Sequence, residues 1–479
     1  MITNFLNHSS EHYPTKIALI FRNTQITYSE LNQKSQLLAK YLLKTDSDVI
    51  SILLPNGIDF CISYFGVLYS GKICHIIPTS ISDSNLATQI SLTKSTIVIS
   101  NSVFAKKLSR INLPQNCSFL DIASFDYEEN NISLPIVDSS YDAMILFSAG
   151  TTSNPKGVKL SHANVVNTVN RVSDYLEITN VDTDVICLPL SHSFGLGCLN
   201  CIIRSSGTAI LHKNTLNMPE IINSIKNYQA TSFASTPTTF QKIIDNHKSL
   251  FQTSIGSIRY LLTNSSPMQP TLTNSILELL DNKKLYTYYG LTEASRSTFH
   301  LYEKNDKKIK SVGKPLPGVI VKIFTNSQEC STMESGEICI KGSHVSSGYI
   351  TNNATTNISD DWLHTGDIGY FDNDGCLFLV GRKDDLINIG GEKVFPKEIE
   401  DILVELEGVD EVAIKGIPDD SLGQIAKAFV VRKTGTNLTD NEIFSFCRGK
   451  IENYKIPRII EYLPKLPKNE QGKLLRHKL

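Results

Sequence analysis

The chain has 479 residues, 41% hydrophobic and 20% charged, with a formal charge of −2 at pH 7. This length predicts about three domains or subdomains, and the near-neutral balance gives no case for nucleic-acid or membrane binding by bulk electrostatics. There is no run of 18 or more apolar residues, so no transmembrane segment is expected.

The N-terminus carries Asn4, Asn7, His8 and Glu11 and has no basic segment leading into an apolar one, so no signal peptide is expected. Over residues 1–140, short apolar runs alternate with helical patterns. Thr27-Tyr-Ser-Glu30 precedes a helix, with Ser29 as the expected N-cap. Residues 50–54 read as a strand stopped by Pro55-Asn56-Gly57, residues 60–69 as an apolar helix closed by Gly71, and residues 73–77 as the next strand. Strand, helix and strand in this rhythm imply a parallel sheet with crossover helices.

The pattern resumes from Asp142. Residues 143–147 read as a buried strand, which runs into Ser148-Ala-Gly-Thr-Thr-Ser-Asn-Pro-Lys-Gly157. A strand feeding such a loop presents backbone N–H groups, hydroxyls and one ammonium to phosphates. It is not a Walker A loop, which needs G-x-x-x-x-G-K-[ST]. Further strands are expected at 185–188, 208–211 and 260–262. Cys198 and Cys201 form a C-x-x-C, but no second pair has zinc spacing and residues 195–203 are apolar. The ten scattered cysteines therefore read as free thiols, these two buried on a helix, in a reduced, cytoplasmic protein.

From 312 to 380 the strands shorten and Gly, Pro and Asp-Gly turns multiply, which predicts a β-barrel-like subdomain. Asp361-Trp-Leu-His-Thr-Gly-Asp367 is a compact turn ending in a carboxylate suited to a ribose diol. Gly381-Arg-Lys-Asp-Asp385 is charged and apolar-poor and reads as a hinge. Residues 386–479 then form a small α/β unit, with a helix at 398–407 and strands at 412–417 and 428–431. The expected organisation is a large N-terminal domain over 1–380, made of two α/β subdomains and the β-barrel-like one, a hinge at 381–385, and a small mobile α+β C-terminal domain over 386–479.

Seven segments in order resemble the adenylate-forming superfamily of acyl-CoA synthetases, peptide-synthetase adenylation domains and beetle luciferases. They are the 148–157 loop, Leu188-Pro-Leu-Ser-His192, Tyr289-Gly-Leu-Thr-Glu293, Gly336-Glu-Ile, Thr365-Gly-Asp367, Gly381-Arg382 and Pro467-Lys-Asn-Glu-Gln-Gly-Lys473. The resemblance covers nearly the whole chain. It implies a two-step reaction: a carboxylate attacks the α-phosphate of ATP, and a thiol then displaces AMP to give a thioester, with the C-terminal domain rotating between the steps.

The resemblance also implies roles for residues. Ser148, Gly150, Thr151, Thr152 and Lys156 would hold the leaving phosphates. Thr292 would meet the α-phosphate, and Glu293 would bind Mg²⁺, which prefers hard oxygen ligands. Tyr289 would lie against adenine beside Gly290, and Asp367 would accept bonds from both ribose hydroxyls with help from Arg382. Lys473 would bridge carboxylate and α-phosphate, although on residue chemistry alone it reads as a solvated tail lysine. Asp384 would be the hinge residue, and Gly390-Gly391-Glu392 would line the thiol tunnel, a sequence that leans towards CoA as acceptor over a carrier protein's phosphopantetheine. His192 would sit beside the acyl pocket, with a buried structural histidine as the alternative.

Ser193 stands where amino-acid-activating domains place an aspartate, which argues against an α-amino acid substrate. Asn264-Ser265-Ser266-Pro267 replaces the family's usual Gly-Gly-Ala-Pro, which should narrow the acyl slot towards a short-to-medium or aryl acid. Phe194 and Thr238 complete the expected pocket with Ser193, Ser265 and Ser266. The expected partners are a small carboxylic acid and CoA or an acyl carrier protein, acting on a monomer or homodimer and without nucleic acid. The chain also lacks a G-x-G-x-x-G after a strand, so a dehydrogenase-type nucleotide fold is not expected.

Overall fold

The computed structural model describes residues 1–479 apart from 112, 115–116, 129–130, 148–154, 352–356, 469–471 and 473. The chain gathers into two compact units. The first comprises Met1–Ile309, Pro315–Ile320 and Ile340–Leu363; the second comprises Lys310–Lys314, Val321–Cys339 and His364–Leu479.

The first unit is mixed α/β and carries two sheets with parallel centres. In one, Tyr260–Thr263, Ser232–Ser235, Thr183–Ile186, Thr208–Leu211 and Ile17–Phe21 lie parallel. Lys284–Tyr289 extends that parallel run, which Thr298–Tyr302 and Thr24–Thr27 flank antiparallel. In the other, Asp142–Phe147, Ile73–Ile76, Val49–Ile52, Ile97–Ser100 and Ser118–Asp121 lie parallel. Gly157–Ser161 then turns back antiparallel on Asp142–Phe147, and Gly348–Ile350 pairs with it. Val49–Ile52, Ile97–Ser100 and Tyr260–Thr263 are buried at every residue, as expected of parallel strands covered on both faces.

The strand expectations hold to within a few residues, but one cap differs. The second helix is Tyr28–Leu42 and its N-cap is Thr27, not Ser29. The Thr27 side chain accepts from Glu30 N, and the Glu30 carboxylate accepts from Thr27 N at 2.8 Å. The reciprocal bonds of this capping box satisfy two backbone donors, whereas a cap at Ser29 would leave Glu30 out of position. Cys198 and Cys201 are buried on the Ser193–Arg204 helix, and neither is in a disulfide.

In the second unit, Trp362–Phe371 and Leu377–Arg382 pair antiparallel around an Asp372–Cys376 turn, and Leu377–Arg382 also pairs with Ser311–Pro315. Its C-terminal part has a sheet in which Val409–Asp419 and Gly423–Arg432 form a long hairpin, joined by Ile459–Tyr462 and by the small hairpin of Ile387–Ile389 with Glu392–Val394. The helices Pro396–Leu403 and Asp440–Cys447 contribute Ile399, Leu403 and Ile443 to the core on one face of this sheet. Leu466, Leu474 and Leu479 pack with Phe429 and Val431 on the other. The first of these helices starts two residues before the expected 398, with Pro396 at its first position, and ends at Leu403 instead of 407, ahead of the turn that holds Gly408 at φ +96°.

Candidate nucleotide-binding site

Ser148, Gly150, Thr151 and Thr152 lie outside the described residues. The loop's far end is described. Gly157 opens the strand Gly157–Ser161, and a side chain there would meet Ile145 Cγ2 at 2.9 Å. That close packing fixes where Lys156 leaves the sheet. Across the same strand, Tyr349 is the register partner of Val158.

Tyr349 joins two of the expected site residues. Lys156 Nζ stands 6.0 Å from the Tyr349 ring centroid, and Tyr349 Oη donates to Glu293 Oε1 at 3.1 Å. Burial raises the Tyr349 hydroxyl well above its ordinary pKa, and the Glu293 charge adds to this, so the phenol stays a donor. Ser346 N binds Glu293 O at 2.8 Å and holds the backbone of the same turn. Sequence reasoning missed Tyr349, and no local signal marks it, since its partners are 56 and 193 positions away.

Thr292 and Glu293 occupy a tight turn between the strands Lys284–Tyr289 and Thr298–Tyr302. Leu291 N to Ala294 O at 3.1 Å and Ser297 N to Tyr289 O at 2.8 Å close it. Gly290 is required there, because a Cβ would lie 2.4 Å from Arg296 N and 2.8 Å from Ala294 O. Tyr289 is 6% exposed at the strand end, and Thr292 and Glu293 are half-buried. The Glu293 carboxylate accepts one bond from Tyr349, and an ionised carboxylate has about four lone-pair sites, so it retains capacity for a hard cation. Among the described residues no cluster of three His, Cys, Asp or Glu gathers. A single carboxylate fits Mg²⁺, which usually takes one or two from protein and completes its shell with phosphate and water oxygens.

His192 is the N-cap of the Ser193–Arg204 helix and is half-buried. Phe194 stands edge-on to the buried Tyr288 with centroids 5.3 Å apart. Ser265 holds φ +88°, a conformation that suits the glycine it replaces. Ser266 is half-buried beside it, and Thr238 is half-buried at the second position of the helix Pro237–Ser254.

In the second unit, Asp367 and Arg382 are register partners on adjacent antiparallel strands, and Arg382 Nη1 reaches Asp367 Oδ1 at 2.9 Å. Asp367 N donates to Thr365 Oγ1 at 3.0 Å. Gly366, at φ +72°, donates its N–H to Glu337 Oε1 at 3.1 Å, while Glu337 Oε2 pairs with Lys383 at 3.0 Å. Thr365-Gly-Asp367 lies within the strand Trp362–Phe371 and not in the expected compact turn, and Glu337 is thus a brace for that stretch of strand, a role the Gly336-Glu-Ile segment did not reveal by itself. Asp384 is exposed in a short 3₁₀ turn, Lys383–Asp385. Gly390 and Gly391, at φ +62° and +94°, form the tip of a two-residue hairpin with Glu392 exposed beside them. Lys473 lies outside the described residues.

The family model described as "AMP-binding enzyme" matches residues 6–350, and "AMP-binding enzyme C-terminal domain" matches 398–473. The chain belongs to the AMP-binding enzyme family. This AMP-binding enzyme is similar to a long-chain-fatty-acid–CoA ligase of Salmonella typhimurium, 28% identical over 100% of the chain and 94% of that protein. It is also similar to a 2-succinylbenzoate–CoA ligase of Bacillus licheniformis, 29% identical over 99% of both. Among solved structures, it resembles the o-succinylbenzoate CoA synthetase of Bacillus subtilis in complex with its acyl-adenylate intermediate. There the TM-score is 0.90 at 27% identity, over 99% of this chain and 97% of that one. The same protein in complex with ATP and magnesium ion also matches, with a TM-score of 0.90 over 99% of both chains. The large α/β domain with a small C-terminal domain agrees with these matches.

Proposed function

We propose that this AMP-binding enzyme is an ATP-dependent acid–thiol ligase that activates a short-to-medium or aryl carboxylic acid and transfers it to CoA. The observation that carries the chemistry is the Lys156–Tyr349–Glu293 arrangement beside the 148–157 loop. A cation just before one strand, a donor on its neighbour and a carboxylate in a tight turn stand together there. The narrower acid range rests on the half-buried Asn264-Ser265-Ser266 segment, with Ser265 at φ +88°.

In the first half-reaction the acid's carboxylate oxygen attacks the α-phosphorus and the bond to pyrophosphate breaks. The Lys156 ammonium and the loop hydroxyls Ser148, Thr151 and Thr152, with Gly150, draw the leaving phosphates. Thr292 donates to an α-phosphate oxygen. Glu293, kept in place by Tyr349, would hold Mg²⁺, which when bound offsets phosphate charge. Asp367 accepts from the ribose hydroxyls with its carboxylate fixed by Arg382, and Tyr289 and Gly290 border the base. Lys473 places its charge where negative charge builds up, an effect worth on the order of 10²–10³ in rate. In the second half-reaction the CoA sulfur attacks the acyl carbon and AMP departs. Asp384 serves as the hinge residue, Gly390, Gly391 and Glu392 border the thiol path, and His192 stands on the acyl side.

The test is mass spectrometry of the full chain with ATP, Mg²⁺, CoA and a pooled acid library. A new acyl-CoA mass supports this reading. An acyl-adenylate that accumulates and ignores CoA overturns the acceptor assignment and points to a carrier protein.

A further inference from the structure

Three residues beyond Glu293, Arg296 is 2% exposed and adopts φ +58°. Its guanidinium lies over the rings of Tyr288 and Phe194, 5.1 and 5.9 Å from their centroids. Nη1 donates to Ser193 O at 3.1 Å and Nη2 to Phe194 O at 2.9 Å. The remaining contacts are long, to Ser295 Oγ at 3.4 Å and Cys198 Sγ at 3.7 Å, and Nε has no partner among the described residues. The helix makes room for the group with Gly197, where a Cβ would fall 1.8 Å from Nη1.

These contacts hold the guanidinium by dipoles and aromatic faces. None of them is a carboxylate. A fully buried cation without a counter-ion is costly, so such a group ordinarily pairs with an anion. Asp184 feels its charge, but burial pushes that carboxyl up to about 7, and no ion pair joins the two. Arg296 also borders a cavity of about 40 Å³ whose wall is mostly apolar, with Leu146, Leu160, Val165 and Leu196 facing Ser193 and His344. A single water needs about 10–15 Å³ by this measure, so the space admits one small group. Arg296 is the only Lys, Arg, Asp or Glu among the lining residues. Burial lowers the His344 imidazole to about 4 with help from Arg171, so it is neutral at pH 7. The cavity is therefore a largely apolar recess with one positive charge and no acid on its wall. Ser193, at the start of the helix proposed for the acyl side, and Arg296, three residues from Glu293, both line it.

We infer that Arg296 is a specificity-determining residue, and that the acid activated here carries a second carboxylate, which enters this recess and pairs with the guanidinium. The inference rests on the acid-activating reading above and narrows it to short dicarboxylic or carboxy-aryl acids. A site built to bond a polar group rejects the analogue lacking it by far more than a missing methylene would.

The experiment compares matched acids in ATP–pyrophosphate exchange with the full chain: succinate against butyrate, glutarate against pentanoate, phthalate against benzoate. For at least one pair, kcat/KM should favour the diacid on the order of 10²-fold. In Arg296→Met that ratio should fall to near one, and Arg296→Lys should keep part of it. Gly197→Ala puts a methyl where the guanidinium lies and should lower the ratio in the same direction, as a second variant should Arg296→Met fail to fold. Thermal shift on the wild-type protein gives a readout independent of turnover, in which the preferred diacid raises Tm and its monoacid partner does not. Exchange supported by monoacids as well as or better than diacids overturns this inference and leaves acid activation standing. A preference that persists in soluble Arg296→Met overturns the residue assignment. No exchange with any acid, and no Tm rise with ATP and Mg²⁺, overturns both readings.

Discussion

Replacing Gly290 by alanine tests whether the turn carrying Thr292 and Glu293 is built as tightly as the chemistry requires. The new Cβ would stand 2.4 Å from Arg296 N, 2.8 Å from Ala294 O and 3.1 Å from Ser295 C, all backbone atoms. None can rotate away as a side chain can, so the turn must recede by about 1 Å to restore ordinary contact. That movement pulls on the bonds from Leu291 N to Ala294 O and from Ser297 N to Tyr289 O. Each is worth about 1 kcal/mol net, so the expected loss of stability is about 2 kcal/mol. The kinetic effect should be larger than the stability loss suggests, because a 1 Å misplacement of catalytic groups can cost about 10²-fold. The assay is acid-dependent pyrophosphate release at 25 °C, where the variant stays folded, with urea unfolding alongside. A soluble Gly290→Ala protein within twofold of wild-type kcat/KM would refute the claim that this turn's geometry sets the rate.

Tyr349→Phe removes the hydroxyl bonded to Glu293. With the net hydrogen bond worth about 1–2 kcal/mol, the Mg²⁺ concentration for half-maximal pyrophosphate release should rise about 5–30-fold, and an unchanged Mg²⁺ dependence would remove Tyr349 from the site. Asp367→Ala should erase discrimination between ATP and 2′-deoxy-ATP as well as weakening ATP, because the Asp367–Arg382 pair would no longer offer a ribose acceptor; preserved discrimination would place the ribose elsewhere. The pH dependence of stability follows from buried groups. Burial pulls His75 down to about 3, and His162 and His344 to about 4, so the unfolded chain binds up to three more protons below its ordinary histidine pKa. Asp184, raised to about 7 by burial, works in the opposite sense, because its stabilisation is present below the ordinary carboxylate pKa and lost as pH rises through 7. Between roughly pH 6 and 5 a net uptake of about two protons remains, so stability should fall by up to about 2.7 kcal/mol per pH unit of acidification. Urea midpoints that stay level from pH 6.5 to 5 would contradict it.

Much of the fold was legible because the apolar runs are short, nearly continuous and spaced by helical patterns. Residues 73–77, 208–211 and 260–262 read as strands for that reason, and parallel strands covered on both faces form there. Element ends were less legible. Ser29 was the expected cap, and only the reciprocal bonds with Glu30 place the cap at Thr27. The candidate site was legible where its residues sit in compact motifs, as with Lys156, Thr292-Glu293 and Thr365-Gly-Asp367. It was not legible where a lone residue acts across the sheet. Tyr349 gained its place through pairing of Gly348–Ile350 with Gly157–Ser161, and Glu337 through the N–H of Gly366.

By itself, the sequence determined the succession of strands and helices, the hydroxyl-rich loop ending at Lys156-Gly157 and the order of the seven motifs, because each depends on residues close together in the chain. Only the tertiary structure decided that Tyr349 stands between Lys156 and Glu293, and that Arg296 is buried against a helix start some hundred positions earlier. In the sequence, Arg296 stands between two serines, Ser295 and Ser297, with no apolar run beside it. It became a buried charge because Gly197 leaves a hole of the right shape and two helix carbonyls face it, and neither condition is written near residue 296.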